Sequence, residues 1–195
     1  MAVGSLKRSS IAAYTKYDSM LAGNAFTPTT FDYEHLGTTV LSSSQASVTF
    51  TLPSNAATEY KHLQLRIAAV PTADTLMQIR FNGDTAANYS YHGLQGYGTG
   101  IDSFSGVSQT AGWLGYSPVG STFPSVAILD LLDPFNDTKY KTTRSLYGST
   151  QSGGNRIMLM SSSWRSTATV TSVTILTNTG NYLTGSRFSI YGVKG

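Results

Sequence analysis

The sequence has no cysteine, which excludes disulfide frameworks and thiolate metal centres. Charged residues are only 12% of the 195, about half the usual share. The net charge is +3, but the basic residues are scattered singly. Without a concentrated basic stripe, nucleic acid is not expected as a partner. No apolar run approaches the length of a membrane span. Met1-Ala-Val-Gly-Ser-Leu-Lys-Arg8 carries charge with no apolar stretch behind it, so no signal peptide is expected. The expected place of synthesis and folding is the cytoplasm. No fixed-period repeat is visible, which disfavours propellers and solenoids.

What remains is apolar, hydroxyl-rich and punctuated. Hydrophobic residues make up 40% of the chain, enough to predict a folded chain with a real core. The organising stretch is Thr75 to His92. Met77, Ile79 and Phe81 alternate with Gln78 and Arg80, the period of a strand with one buried face. Asn82-Gly83-Asp84 then predicts a tight turn, because Asn and Gly accept positive φ. Asn88 to His92 opens a second polar and aromatic run.

Residues 1–30 read differently. Ser9-Ser10 offers an N-cap for a short helix in which Ile11, Tyr14, Tyr17 and Leu21 recur at helical spacing, with Lys7 and Arg8 beside it. A helix this short needs a surface to pack on. It either folds back on its own domain or forms an arm that docks onto a neighbouring subunit.

From Phe31 onward the pattern predicts strands. Val48, Phe50 and Leu52 share a face, as do Leu63, Leu65 and Ile67 against His62, Gln64 and Arg66. Gly93 to Gly106 and Gly148 to Asn155 read as loops. Val126 to Leu132 is nearly continuous apolar, predicting a central strand covered on both sides. Tyr140 to Tyr147 is expected to point Lys141 and Arg144 outward. Arg156 to Trp164 is expected to place Ile157 and Leu159 inward. Thr169 to Leu176 and Arg187 to Val193 complete about 8–10 short strands. The predicted fold class is all-β, an antiparallel sandwich or jelly roll over residues 31–195, preceded by the arm of residues 1–30.

Catalytic signatures are sparse. His35, His62 and His92 are the only imidazoles, and none has a partner at zinc-ligand spacing. Asn82, Asp84 and Asn88 place three oxygen-bearing side chains around one turn, a minimal calcium candidate without the usual carboxylate count. Asp130, Asp133 and Asp137 straddle a Pro turn without an identifiable acid partner. No nucleophile elbow or phosphate loop appears. No cofactor is expected, and an enzyme is the weakest reading. Tyr89, Tyr91, Tyr97, Trp113 and Tyr116 cluster around the glycine-rich region and could stack on sugar rings or on a neighbouring subunit.

Three segments carry a resemblance: His62-Leu-Gln-Leu-Arg66; Arg80-Phe-Asn-Gly-Asp-Thr85 with Asn88-Tyr89; and Arg187-Phe-Ser-Ile-Tyr-Gly-Val-Lys-Gly195. They resemble a group of tailed-bacteriophage structural proteins over most of residues 31–195. Ser10-Ile-Ala-Ala-Tyr-Thr-Lys-Tyr17 is similar to the same group. The resemblance implies a β-sandwich module of a head decoration, neck or tail fibre component, self-assembled, often as a trimer, or docked on capsid, tail or neck proteins. A lectin-like module that binds a host-surface glycan is the alternative. The shared motifs are framework motifs, so no catalytic residue is implied.

Overall fold

A computed structural model describes residues 32–119, 123–151 and 154–195. The expected arm, with Lys7, Arg8, Ile11, Tyr14, Tyr17 and Leu21, lies outside them.

Twelve strands form in chain order among the described residues: β1 (Tyr33–Val40), β2 (Ser47–Thr51), β3 (His62–Ala69), β4 (Thr75–Phe81), β5 (Tyr89–Tyr97), β6 (Gly100–Gln109), β7 (Gly112–Ser117), β8 (Ser125–Leu132), β9 (Lys141–Gln151), β10 (Gly154–Trp164), β11 (Ser172–Thr177) and β12 (Arg187–Val193). A four-residue helix, α1 (Ala56–Glu59), joins β2 to β3. The larger sheet runs β1-β12-β3-β8-β9-β10-β5-β6 and the smaller β2-β11-β4-β7. All pairings are antiparallel.

The expected sandwich is therefore present, and its connectivity is that of a jelly roll. Strands β1-β12-β3-β8 and β2-β11-β4-β7 are the two four-stranded halves. Two hairpins extend the first half beyond β8. One, β9–β10, is inserted between β8 and β11; the other, β5–β6, between β4 and β7. These insertions raise the strand count above the expected 8–10.

The core follows the period-2 pattern. Met77, Ile79 and Phe81 on β4 and Leu63, Leu65 and Ile67 on β3 are buried in one core with Val173, Ile175 and Phe188. Phe81, Tyr89 and Trp164 form an aromatic cluster with ring centroids 5.6–6.4 Å apart, a separation suited to offset ring packing.

Several expectations are corrected. Gly93 to Gly106 is not loop but most of the β5–β6 hairpin, turned at Gly98 with φ +57°. Gly148 to Asn155 likewise belongs mostly to the paired ends of β9 and β10. Glycine serves here to make space. A Cβ at Gly93 would lie 2.5 Å from Met160 Sδ, and one at Gly106 would lie 2.6 Å from the Tyr91 ring. Gly192 lies equally close under Tyr60, and Gly115 lies under Tyr147. Lys141 is buried, not outward. On β10, Met158, Met160 and Trp164 point inward while Ile157 and Leu159 face solvent. β8 is covered on one side only, for Val126, Ile128 and Leu132 are each nearly half exposed.

Candidate functional site

The corner after β4 is the most densely bonded of the sequence-predicted sites. Asp84 N–H donates to Phe81 O at 2.9 Å across Asn82 (φ 52°) and Gly83 (φ 68°). Two consecutive positive φ angles make this a type I′ turn, which explains the Asn-Gly pair. Asn82 Oδ1 accepts from Thr171 N at 2.8 Å, Thr171 Oγ1 at 3.1 Å and Ser172 N at 3.2 Å. Its Nδ2 donates to Thr169 O at 2.8 Å. Asp84 accepts from Ala86 N at 2.8 Å, from Asn88 Nδ2 at 2.9 Å and from Trp164 Nε1 at 2.6 Å. The side-chain bond from Asn88, followed by that from Trp164, holds the Asp84 carboxyl below its ordinary pKa. Asn82 and Asp84 thus spend side-chain oxygens on N–H and O–H donors, and Asn88 presents its amide nitrogen to Asp84. Among the described residues no group of three or more His, Asp or Glu is arranged to hold a metal.

The five aromatic candidates fall into separate environments. Tyr89 is fully buried; burial pushes its pKa up to about 12, and its hydroxyl accepts from Phe81 N at 3.0 Å. Tyr91 and Trp113 stack on each other, with centroids 4.0 Å apart and planes 16° from parallel. Tyr97 and Tyr116 hold the Arg156 guanidinium between them, at 4.6 and 4.4 Å from their ring centres. This aromatic and cationic packing fills the space where the inserted hairpins meet β7.

The histidines and acids are dispersed. His62 Nδ1 accepts from Asp133 N at 3.0 Å, pinning the turn after β8. His35 Nε2 and Thr38 Oγ1 are hydrogen-bonded at 2.8 Å, and the His35 ring meets Tyr191 edge-on. His92 lies exposed on the outer face of β5. Asp130 accepts from Gln64 Nε2 at 2.9 Å, whereas Asp133 makes an exposed ion pair with Lys139 at 3.8 Å. Buried Lys141 donates through Nζ to three carbonyls, those of Asn136, Lys139 at 2.9 Å and Thr167 at 3.1 Å. Burial lowers its pKa, against the opposing pull of Asp133 and Asp137.

The unanticipated feature is the outer face of the larger sheet. Register aligns Ile128, Leu146, Leu159 and Leu94 as successive cross-strand partners on β8, β9, β10 and β5. All four are about half exposed. The adjacent row carries Arg187, Ala68, Val126, Gly148 and Ile157 on β12, β3, β8, β9 and β10. A third row is polar: Tyr191, Gln64, Asp130, Arg144, Ser161 and His92. Between the first two rows lies a groove of about 510 Å³. The available sequence signal was apolar residues on both faces of β8 and of 157–160, which leaves either face free to be the inner one.

No protein family, no characterised protein and no solved structure matches this chain. Among the described residues no helix is long and apolar enough to cross a membrane.

Proposed function

We propose that the protein is a non-enzymatic structural component of a tailed-bacteriophage virion, a head decoration or a tail or neck fibre subunit, that assembles through subunit contacts. The observation that carries this reading is the contiguous apolar outer face of the larger sheet. Monomeric proteins seldom leave neighbouring Ile and Leu side chains on four consecutive strands open to water, and patches of that kind mark interaction surfaces. The jelly-roll connectivity suits the reading, since that architecture recurs in viral shells. So does the low charge, which leaves little to keep copies apart. Residues 1–30 serve in this reading as the anchoring arm.

Sedimentation analysis of the full chain should find an oligomer that Leu146→Asp converts to folded monomer. A wild type that stays monomeric up to about 100 µM, where even weak specific contacts populate, would overturn the assembly mechanism. Mass spectrometry of purified particles from the host that carries the gene should find the chain as a stoichiometric component. Its absence would remove the virion assignment.

A further inference from the structure

The groove on the outer face is polarised along its length. Its walls are the two transverse rows, with Arg66, Ile128 and Leu146 on one side and Arg187, Val126 and Ile157 on the other. Wall residues two apart along a strand are separated by about 6.8 Å, so the groove is one unbranched chain wide. Two small residues in the second row, Ala68 and Gly148, leave that wall low between its larger side chains. From β12 to β10 it crosses four strand intervals, about 19 Å at about 4.8 Å each.

Charge is confined to one end. Arg66 pairs with Ser189 and Arg187 with Ala68, so the two guanidinium groups flank the same end of the groove from opposite walls. Arg66 is held there by Tyr191, whose ring centre is 5.1 Å from its guanidinium carbon, and by donation from Nε to Gln64 Oε1 at 3.1 Å. Its remaining nitrogens, and all those of Arg187, have no carboxylate within ion-pair distance among the described residues. The other end, at Leu146 and Ile157, is apolar.

We infer that this groove binds a single-chain anionic amphiphile, an unbranched long-chain carboxylate, with its head between Arg66 and Arg187 and its alkyl chain running across the strands to Ile157. Three arginines, Arg66, Arg144 and Arg187, share this outer face with one aspartate, Asp130, so its charge favours an anionic ligand. A peptide is wider than the gap between the rows and would meet the strands crosswise, where their backbone groups are already paired. The groove lies within the face proposed above for subunit contacts, so ligand and partner subunit compete for it, and the titration is run at a chain concentration where sedimentation finds monomer.

The test is calorimetric titration of the full chain with dodecanoate, dodecyltrimethylammonium and dodecyl maltoside, each below its self-aggregation concentration. Dodecanoate should bind at one saturable site and the other two much more weakly. The double variant Arg66→Gln, Arg187→Gln should weaken dodecanoate about tenfold or more, as expected for losing charge-assisted bonds to an anion. Gly148→Leu should abolish binding by filling the groove. A Cβ there meets only Val126 Cγ2, at 3.7 Å, so this variant should melt like the wild type. No saturable dodecanoate binding up to about 1 mM, the limit of weak specific affinity, would overturn the inference. So would equal binding of the cationic or neutral probe, or undiminished binding by the double variant or by Gly148→Leu.

Discussion

Trp164 donates its indole N–H to Asp84 Oδ2 at 2.6 Å, joining the end of β10 to the turn after β4. The bond links an inserted hairpin to the jelly-roll framework, and Asn88 holds the same oxygen from the other side. Asp84→Asn should therefore cost about 1.5–3 kcal/mol near neutral pH, the scale of hydrogen bonds to a charged acceptor. The folded chain keeps this carboxyl ionised below its ordinary value of 3.8. As pH falls, the unfolded chain takes up the proton first. The stabilisation is thus complete above that ordinary value and lost as pH drops through the lower folded-state value. Urea melts of wild type and variant from about pH 7 to about pH 3 should show the gap closing only at the acid end.

Asn82 combines a positive φ with four side-chain hydrogen bonds to residues 169–172. Asn82→Gly keeps the backbone freedom and loses the bonds, whereas Asn82→Ala loses both. Glycine should cost about 1–2 kcal/mol and alanine about 1 kcal/mol more, read as a difference in urea midpoint at constant slope. Equal losses would show that the turn strain counts for nothing.

Gly115 lies directly under the Tyr147 ring, where an added Cβ would fall 2.3 Å from the ring carbons. Tyr147 cannot yield, because it is fully buried and its hydroxyl is bound to the Tyr116 carbonyl. Gly115→Ala should cost about 2–3 kcal/mol through overpacking. Gly148→Ala, with open space above it, should stay within about 0.5 kcal/mol of wild type. Thermal melts of the two variants side by side decide the point.

Lys141 fills a cage of three backbone carbonyls at the start of β9. Lys141→Met preserves the aliphatic stem and strands those acceptors, at a cost of about 2–3 kcal/mol. Hydrogen exchange should report the loss first in the turn of residues 133–140, with β8 and β12 protected as before.

Where polar and apolar residues alternate cleanly, the sequence was sufficient. Met77, Ile79 and Phe81 against Gln78 and Arg80 leave a single face to bury, and β4 buries it. β12 was equally plain, with its bounds at Arg187 and Val193. The stretch from Ile157 to Met160 offers two apolar faces, and alternation has no contrast to act on. The structure turns the methionines inward, where flexible thioethers fill irregular space, and leaves Ile157 and Leu159 outside. The outer apolar face and its groove were hidden for that reason. The hairpin of β5 and β6 was hidden by composition, since Gly93 and Gly106 read as breaks although each makes room for a neighbouring side chain. Lys141 looked like a surface charge because its three acceptors come from loop carbonyls, which no side-chain pattern advertises.

The glycines that lie beneath rings also set a rule for how this chain can vary by descent. Gly115 with Tyr147, Gly106 with Tyr91 and Gly192 with Tyr60 are each one shape shared between two positions. Enlarging the first member is costly while the second keeps its ring in place, and shrinking the second leaves a hole while the first stays bare. Such positions change in pairs or not at all, so two diverged sequences of this protein would show them as linked substitutions, well separated in the chain yet inherited as one character.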